Sequence, residues 1–223
     1  MPDLRASRPA AVVFDMDGVI VDTEHVWEEV RVELVDDWGG TDVPGSQQAM
    51  MGMSSTEWSR YMHDVLGLRQ EPAEINDEVV RRMLDRYDSG LPLVEGAVAA
   101  VRTLAGAGLP LAVASSSNRP LIDAVLEGAG ITGCFAATVS SEEVARGKPS
   151  PDVYLEAARR LGVAPAACAA VEDSSNGLRA AHAAGMRVLA FPNERFPPAE
   201  DALALADAVL TSLDELPPRV LGR

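Results

Sequence analysis

Short runs of apolar residues recur along the chain and alternate with stretches in which apolar residues repeat at helical spacing. The apolar runs cover residues 10–14, 109–114, 168–171, 188–191 and 208–210. Their length and their lack of polar alternation indicate buried parallel strands. The helical stretches cover residues 96–107, 119–127, 151–161 and 177–184, and a glycine follows each of them. This alternation predicts a doubly wound α/β fold with a parallel sheet.

Residues 23–94 break the alternation, because no strand pattern occurs among them. Apolar residues repeat there at helical spacing in three groups: Trp27, Val30, Leu34 and Trp38; Trp58, Tyr61, Met62 and Leu66; and Val79, Val80, Met83, Leu84 and Tyr87. The pattern predicts a small helical domain inserted just after the first strand. Residues 1–22 and 95–223 then form the α/β core.

The charge balance limits the kinds of partner. Of the 223 residues, 19 are Lys or Arg and 34 are Asp or Glu, which gives a net charge of -15. Such a chain repels nucleic acids and anionic membranes, so we expect neither as a partner, and no obligate protein partner is implied. A small molecule is the expected partner. If that molecule is anionic, a metal ion or a few placed Lys or Arg residues must bind it.

Cysteine use and the N-terminus indicate the cell compartment. Cys134 and Cys168 lie in apolar surroundings without metal-ligand spacing, which favours reduced core residues. No apolar run of signal-peptide length follows residues 1–9, and no window approaches the roughly 20 apolar residues of a membrane span. We therefore expect a cytoplasmic protein.

Two acids directly follow the first predicted strand, in the sequence Asp15-Met-Asp-Gly18. Taken alone, this tetrapeptide is more typical of a turn after a strand than of a catalytic site. Its interpretation depends on the ends of the later strands, because the carboxyl ends of parallel strands meet at one edge of the sheet.

Each later strand is followed by polar residues suited to phosphoryl transfer. Ser115 and Ser116 follow the second long run, where hydroxyls and backbone N–H groups can hold phosphate oxygens or cap a helix. Lys148 lies between a glycine and two prolines. It is either a solvated surface residue or a residue held in place to neutralise a carboxylate and a phosphate. Glu172 and Asp173 follow the next strand and suit a magnesium ion, which takes oxygen ligands.

Together these segments resemble the haloacid dehalogenase superfamily of phosphatases, in the branch of beta-phosphoglucomutase and phosphoglycolate phosphatase. Asp15-Met-Asp-Gly-Val-Ile-Val-Asp-Thr23 is similar to the first motif of that family, Ser115 to its second, Lys148 to its third, and Glu172-Asp-Ser-Ser-Asn-Gly177 to its fourth. The helical insertion lies where this branch carries a mobile cap. The expected fold is an α/β, Rossmann-like doubly wound parallel sheet with an inserted α-helical cap.

The resemblance implies a role for each motif residue. Asp15 attacks phosphorus and binds Mg²⁺, while Asp17 acts as general acid and base and ligates the metal through its backbone carbonyl. Ser115, Ser116 and Lys148 hold the phosphoryl oxygens. Asp173 completes the magnesium site, with Glu172 as a ligand directly or through water. The implied activity is hydrolysis of a small phosphate monoester through an aspartyl phosphate.

Two departures from the mutases of this branch favour hydrolysis over phosphomutase transfer. Trp27 stands where beta-phosphoglucomutase has a histidine, and Ser55 stands where the arginine that grips a second phosphate is expected. Arg81 or Arg82 could replace that arginine, although both also suit a solvated helix face. Substrate specificity is expected to involve three positions: Trp27, His25 at the junction between core and cap, and Gly52.

Two further functions remain as alternatives to a phosphatase. A phosphoacceptor signalling domain also combines acidic metal ligands, an aspartyl phosphate, a hydroxyl and a lysine, but it is about half this length and has its acceptor on a later strand. A catalytically inactive binding protein is disfavoured because every motif residue is present. The sequence does not select among sugar phosphates, phosphoglycolate and nucleoside monophosphates.

Overall fold

Six parallel strands form the centre of the protein, whose computed structural model describes residues 8–51, 53–193 and 195–222. Within these residues the strand order is β3-β2-β1-β4-β5-β6, and all neighbouring strands are parallel. The strands are β1 (Ala11–Phe14), β2 (Leu111–Ser115), β3 (Ala137–Ser140), β4 (Cys168–Glu172), β5 (Arg187–Ala190) and β6 (Ala208–Val209). The predicted α/β fold with a parallel sheet is confirmed.

Helices cover both faces of this sheet. In chain order, the helices of the described residues are α1 (Glu24–Trp38), α2 (Ser46–Met50), α3 (Ser55–Asp64), α4 (Pro72–Ser89), α5 (Ala97–Gly106), α6 (Arg119–Gly128), α7 (Asp152–Leu161), α8 (Ser175–Ala183), α9 (Glu200–Leu203) and α10 (Leu216–Leu221), of which α1 to α4 belong to the insert. Along β1, Val12 and Phe14 belong to a hydrophobic cluster that includes residues of α5, α6 and α10, whereas Ala11 and Val13 belong to a second cluster that includes residues of α7 and α8. Burial on both faces explains why the strands read as continuous apolar runs. None of the helices in the described ranges could span a membrane.

The helical insert, residues 23–94, leaves the sheet after β1 and carries helices α1 to α4. Its two chain crossings lie side by side. Val21 and Leu93 form an antiparallel bridge, and the backbone N–H of Val94 donates to the carbonyl of Ile20 at 3.0 Å. Both ends of the insert are therefore anchored at one point beside the carboxyl end of β1. The division into a core and a cap domain remains a prediction.

Two elements were not predicted from the pattern of apolar residues. Strand β3 carries a threonine and a serine, and its first two residues are only half-buried, so it has no continuous apolar run. Helix α2 has five residues, which is too short for a helical repeat to be visible. The other strands and helices α5 to α8 occur where the sequence predicts them, with ends shifted by one or two residues. Helices α1, α3 and α4 contain most of the apolar groups predicted in the insert, but they begin three to seven residues before those groups.

Candidate active site

The carboxyl ends of β1, β2 and β4 bring the predicted motif residues to one edge of the sheet. Asp15 is the first residue after β1, and its backbone N–H donates to the carbonyl of Val171 in β4 at 2.9 Å. Ser115 ends β2 and Glu172 ends β4. Because β1 lies between β2 and β4, the motifs meet at the centre of the sheet rather than at its side.

Lys148 joins two of the acids at this edge. Its Nζ lies 2.9 Å from Oδ1 of Asp15 and 2.6 Å from Oε1 of Glu172. The lysine is 2% exposed, so both contacts are screened little by water. Burial by itself lowers the pKa of Lys148, but the charges of Asp15 and Glu172 raise it above its ordinary value. The lysine therefore stays charged at neutral pH.

Glu172 has both carboxylate oxygens occupied by donors. Its Oε1 accepts from Lys148 and from the hydroxyl of Tyr154, the latter at 2.8 Å, while Oε2 accepts from the backbone N–H groups of Asp173 and Ser174. Although burial opposes ionisation, the charge of Lys148 lowers the pKa of Glu172. Gly177 makes room for this carboxylate, because a Cβ there would lie 1.6 Å from Oε1. Glu172 thus fixes the lysine and the turn after β4.

Asp173 differs from Glu172 because part of its carboxylate has no partner. Its Oδ2 is buried and lacks a hydrogen bond within the described residues. One oxygen from each of Asp15, Glu172 and Asp173 lies within 4.8 Å of the other two. Three buried carboxylates with a single lysine leave an excess of negative charge, and oxygen donors of this kind suit a hard divalent cation. The residues therefore fit a metal site.

Gly18 has to be a glycine for Asp173 to reach this place. Its φ of +76° lies in the left-handed region, which side chains disfavour, and a Cβ there would lie 1.9 Å from Oδ2 of Asp173. The Asp15-to-Gly18 turn and the Glu172–Asp173 pair therefore fit together only with glycine at this position.

The crowding of carboxylates changes their protonation. Burial, followed by the charge of Glu172, raises the pKa of Asp15 well above its ordinary value, although Lys148 acts in the opposite direction. Burial and the charges of Glu172 and Asp15 likewise raise the pKa of Asp173. Burial and crowding therefore oppose the ionisation of Asp15 and Asp173, whereas a bound cation would favour it.

Asp17 faces the helical insert rather than the acid cluster. Its Oδ1 accepts from the hydroxyl of Thr23 at 2.5 Å and from the indole N–H of Trp27 at 3.1 Å. Its Oδ2 accepts from the hydroxyl of Ser117 at 2.7 Å. Donors from the insert and from the loop after β2 thus hold this carboxylate in one orientation.

The serines after β2 divide into two kinds. Ser116 and Ser117 line the cavity that contains Asp15 and Asp17. Ser115 is fully buried, and its hydroxyl accepts from the backbone N–H of Ser117 at 3.0 Å. Its predicted contact with phosphate stays a prediction, as does that of Ser116.

The three positions expected to govern specificity are placed differently. Trp27 lines the cavity beside Asp17. His25 lines a separate groove next to the chain crossings, together with Asp22 and Phe191. Gly52 lies outside the described residues.

The cap cations considered as substitutes for a mutase arginine are engaged elsewhere. Arg81 pairs with Glu78 and Asp85 on the surface of α4. Arg82 pairs with the same Glu78 and with Asp37 on α1, at 2.8 Å and 2.7 Å. These contacts agree with the interpretation that both arginines belong to a solvated helix face rather than replacing the mutase arginine.

A narrow cavity between core and helical insert contains Asp15, Asp17 and Asp173. Its volume is about 40 Å³, and its walls are Asp15, Asp17, Glu24, Trp27, Arg31, Met50, Met51, Met53, Trp58, Ser116, Ser117, Asp173 and Ser174. This volume is well below the roughly 300–1,000 Å³ of typical ligand pockets. Burial raises the pKa of Glu24 in this wall to about 7. The helical insert is closed over the sheet edge.

Several residues of the site were not predicted from the sequence. Tyr154 lies on α7, six residues after Lys148, and its helical spacing indicates only core packing. Glu24 and Arg31 lie on α1 among solvated charges, and the period of apolar residues does not show which charges turn inward. Thr23 belongs to the first motif, so its position was available, but its contact with Asp17 was not.

The acid cluster and its lysine suit phosphate-ester chemistry, and comparison with known proteins identifies the family. The family model for haloacid dehalogenase-like hydrolases matches residues 9–185. The chain belongs to this family, which confirms the resemblance seen in its motifs.

Relatives of known activity extend this assignment. Hexitol phosphatase B of Escherichia coli K12 is 32% identical over 213 residues, which cover 92% of this chain and 93% of the relative. Fructose-1-phosphate phosphatase YqaB of the same organism is 34% identical over 185 residues, covering 80% and 94%. The chain is an enzyme, a phosphoric monoester hydrolase.

Solved structures show the same architecture. CbbY from Rhodobacter sphaeroides, in complex with phosphate, is similar with a TM-score of 0.82 and 28% identity, over 93% of this chain and 96% of that one. Beta-phosphoglucomutase from Clostridium difficile has a TM-score of 0.81 at 21% identity, over 96% and 100%. The second likeness concerns the fold alone.

Proposed function

We propose that the protein is a Mg²⁺-dependent phosphatase that hydrolyses a small phosphate monoester through a phosphoryl group carried by Asp15. The main support is the contact of Lys148 with Asp15 at 2.9 Å, beside the buried, unpaired Oδ2 of Asp173. This contact supports the proposal, because a carboxylate able to act as nucleophile, a fixed cation and an unpaired carboxylate oxygen suited to a metal lie together at one sheet edge.

Asp15 and Asp173 would hold the metal through carboxylate oxygens, and Asp17 would hold it through its backbone carbonyl. Glu172, whose oxygens already accept hydrogen bonds from Lys148 and the following turn, would contribute through water. When bound, Mg²⁺ neutralises the charge that develops on the transferring phosphoryl group. The unpaired Oδ2 of Asp173 supports this assignment.

The chain's own residues divide the reaction into two steps. In the first, a carboxylate oxygen of Asp15 forms a bond to phosphorus while the ester oxygen leaves with a proton from Asp17. In the second, Asp17 takes a proton from water as the water oxygen bonds to phosphorus, and the bond to Asp15 breaks to release phosphate. Lys148 and the serines after β2 bind the phosphoryl oxygens throughout. The contacts of Thr23, Trp27 and Ser117 orient Asp17 for both transfers.

The relatives support a small phosphorylated metabolite as the substrate. Their names assign them hexitol phosphate and fructose-1-phosphate as substrates, and a third relative, from Drosophila melanogaster, is a probable pseudouridine-5'-phosphatase, 31% identical over 224 residues. All three act on compact phosphate monoesters. A phosphomutase is less well supported, because Trp27 and Ser55 replace the two residues expected of one.

The proposed function is tested by turnover of para-nitrophenyl phosphate with Mg²⁺, with EDTA and with Mg²⁺ restored after EDTA. We expect phosphate release with Mg²⁺, its loss with EDTA and its return when the metal is added back. Phosphate release that EDTA leaves unchanged would contradict the metal assignment. In a parallel assay with a hexose phosphate as substrate, formation of an isomerised sugar phosphate without free phosphate would favour the mutase.

A further inference from the structure

Arg31 is a buried cation on the helical insert that the mechanism above does not use. It lies on α1 and is 6% exposed. Its guanidinium carbon lies 4.7 Å from the ring centroid of Trp27 and 5.3 Å from that of Trp58. The two indoles contact each other edge to face, with centroids 5.9 Å apart. The planar cation is therefore held against two aromatic faces in a fixed orientation.

The hydrogen bonds of Arg31 are incomplete in this arrangement. One terminal nitrogen, Nη1, donates to Oε1 of Gln47 at 2.9 Å. The Nε is buried and has no hydrogen-bond partner among the described residues. Leaving such a donor unpaired is unfavourable, and more so for a charged group. A methionine or leucine would fill the same space without this cost, so packing alone does not account for an arginine.

Arg31 remains a cation under physiological conditions. Burial lowers its pKa to about 10, while the charges of Glu24 and Asp17 act in the opposite direction. At neutral pH the guanidinium is fully protonated. It therefore offers hydrogen-bond donors only, in a planar fork.

Arg31 is placed where it can contact the organic part of a bound ester. The residue lines the same cavity as Asp15 and Asp17, but from the helical insert. Phosphorus must bind at the sheet edge, next to Asp15 and Lys148. The alcohol portion of the ester then extends toward the insert, where Arg31, Glu24 and the indoles form the wall.

The alcohol portion of the ester could carry either a second phosphate or only neutral hydroxyl groups, and the charge of this wall favours one of the two. A second phosphate carries about -1.5 to -2 charges at pH 7. Arg31 supplies a single positive charge, and the carboxyl group of Glu24 lies in the same wall. A neutral chain of hydroxyls fits better, since the guanidinium donates to hydroxyl oxygens, a carboxylate accepts from them, and indole faces pack against C–H groups.

We propose that Arg31 determines substrate specificity by donating hydrogen bonds to the hydroxyl groups of an uncharged polyol chain, so that the enzyme prefers sugar or sugar-alcohol monophosphates. This inference rests on the phosphatase function proposed above. It assigns a role to the insert-side wall and leaves the chemistry at Asp15 unchanged.

The test compares two esters of equal chain length, a hexitol phosphate and n-hexyl phosphate, which lacks the free hydroxyls. A hydrogen bond to a charged group contributes roughly 1.5–3 kcal/mol, so kcat/KM of the wild type should be at least about tenfold higher for the hexitol ester. In Arg31→Met this ratio should fall toward one. Arg31→Lys, which keeps the charge but loses the fork, should give an intermediate ratio.

Arg86→Met is the matched control. Arg86 also lies on the insert, but it pairs with Glu29 and Glu33 at the surface, far from the cavity lining. The same loss of charge and the same new side chain should leave the hexitol-to-hexyl ratio at its wild-type value. A comparable fall in this control would overturn the proposal, because it would assign the effect to net charge.

The remaining outcomes separate this inference from the proposed function. An unchanged hexitol-to-hexyl ratio in Arg31→Met overturns this inference but not the proposed function. A wild-type ratio near one has the same consequence, and that measurement does not depend on whether a variant folds. A larger loss for a hexitol bisphosphate than for the monophosphate in Arg31→Met would show that Arg31 binds a second anion, which also overturns it. If the wild type hydrolyses none of these esters and no acetyl phosphate, the phosphatase function fails, and the inference fails with it.

Discussion

Asp173 and Glu172 are adjacent acids with different remaining capacity to bind a cation. Glu172 accepts hydrogen bonds at both oxygens, whereas Oδ2 of Asp173 is buried without one. The sequence predicts Asp173 as a metal ligand and Glu172 as a ligand either directly or through water. It leaves that choice for Glu172 open, because the choice depends on donors from Lys148 and Tyr154 that lie 24 and 18 residues away. The structure favours Asp173 as the direct ligand.

Asp173→Asn should therefore raise the Mg²⁺ concentration needed for half-maximal activity. Even partners outside the ligand shell change metal affinity by about 10–100-fold, so we expect at least a tenfold increase. The measurement is a Mg²⁺ titration of para-nitrophenyl phosphate turnover. Asp201→Asn, which alters an exposed acid paired with Arg179, serves as the control. An equal Mg²⁺ requirement in wild type and Asp173→Asn would remove Asp173 from the metal site.

Glu24 predicts a pH effect on stability. Burial raises its pKa from 4.5 to about 7, so between these pH values the folded state keeps a proton that the unfolded state releases. Stability contributed by this group is present below pH 4.5 and is lost as pH rises toward 7. Glu24→Gln should remove this loss, which amounts to at most about 3 kcal/mol.

The measurement is urea unfolding in EDTA at about pH 5 and about pH 8, compared between wild type and Glu24→Gln. The variant should lose less stability over this interval than the wild type. The exposed Glu127 provides a control substitution, Glu127→Gln, which should follow the wild type. Equal losses in wild type and Glu24→Gln would show that Glu24 is ionised in the folded protein throughout this range.

At the scale of elements, α1 connects the helical insert to the reaction centre. Trp27 on this helix donates its indole N–H to Asp17, and the same ring supports the guanidinium of Arg31. From the sequence we expected Trp27 to affect substrate preference. The hydrogen bond to Asp17 adds a second effect, because it acts on the group proposed as general acid and base.

Trp27→Phe separates these two effects, since it keeps an aromatic ring but removes the indole N–H. We predict about a tenfold fall in kcat even for acetyl phosphate, which has little organic portion, because a hydrogen bond to a charged group contributes roughly 1.5–3 kcal/mol. Trp38→Phe, at the end of the same helix, is the control and should keep wild-type kcat. An unchanged kcat in Trp27→Phe would show that the indole N–H does not assist Asp17.

The elements of the core were largely predictable, and the exceptions have physical reasons. Buried parallel strands carry continuous apolar runs, which is why β1, β2, β4 and β5 could be recognised. Strand β3 lies at the edge of the sheet, with half-buried residues at its start, so its sequence lacks this pattern. The carboxyl ends of the strands locate the candidate site, but the side chains that the insert adds depend on how α1 packs.

At the scale of the whole molecule, hydrogen bonds and an ion pair join the helical insert to the core around the cavity. Ser55 donates to Glu142 at 2.9 Å, and Asn176 donates to the carbonyl of Met51 at 3.1 Å. Arg195 pairs with Glu28 at 2.7 Å. Ligand pockets typically span roughly 300–1,000 Å³, far more than the cavity of about 40 Å³. We infer that the insert must open about the crossings at Val21 and Leu93 to admit a substrate.

Opening should expose Trp27 and Trp58, which line the cavity and are 4% and 2% exposed in the closed arrangement. In Trp38→Phe these two are the tryptophans that remain. We predict that acrylamide quenches their fluorescence measurably in the free enzyme and less strongly when Mg²⁺ and phosphate are bound. Quenching that is equally weak in both conditions would indicate a permanently closed insert and a different route to the site.

These inter-domain contacts were beyond prediction from the sequence. The order of the four motifs specifies which residues meet at the sheet edge, because parallel strands align their carboxyl ends. The sequence does not specify the angle between insert and core, and the contacts of Arg31 and Glu24 with the cavity depend on that angle. Predictions from the sequence therefore hold best for the core side of the site.

The central claim, that Asp15 carries the phosphoryl group, is tested most directly by the turnover of Asp15→Asn. The amide is a poor nucleophile of nearly the same size, so the fold should persist while kcat/KM for para-nitrophenyl phosphate falls by about 10⁴-fold, equivalent to roughly 5.5 kcal/mol of barrier. Circular dichroism and the thermal midpoint verify that the purified variant is folded. A folded variant that keeps more than about a tenth of wild-type activity would contradict the covalent mechanism.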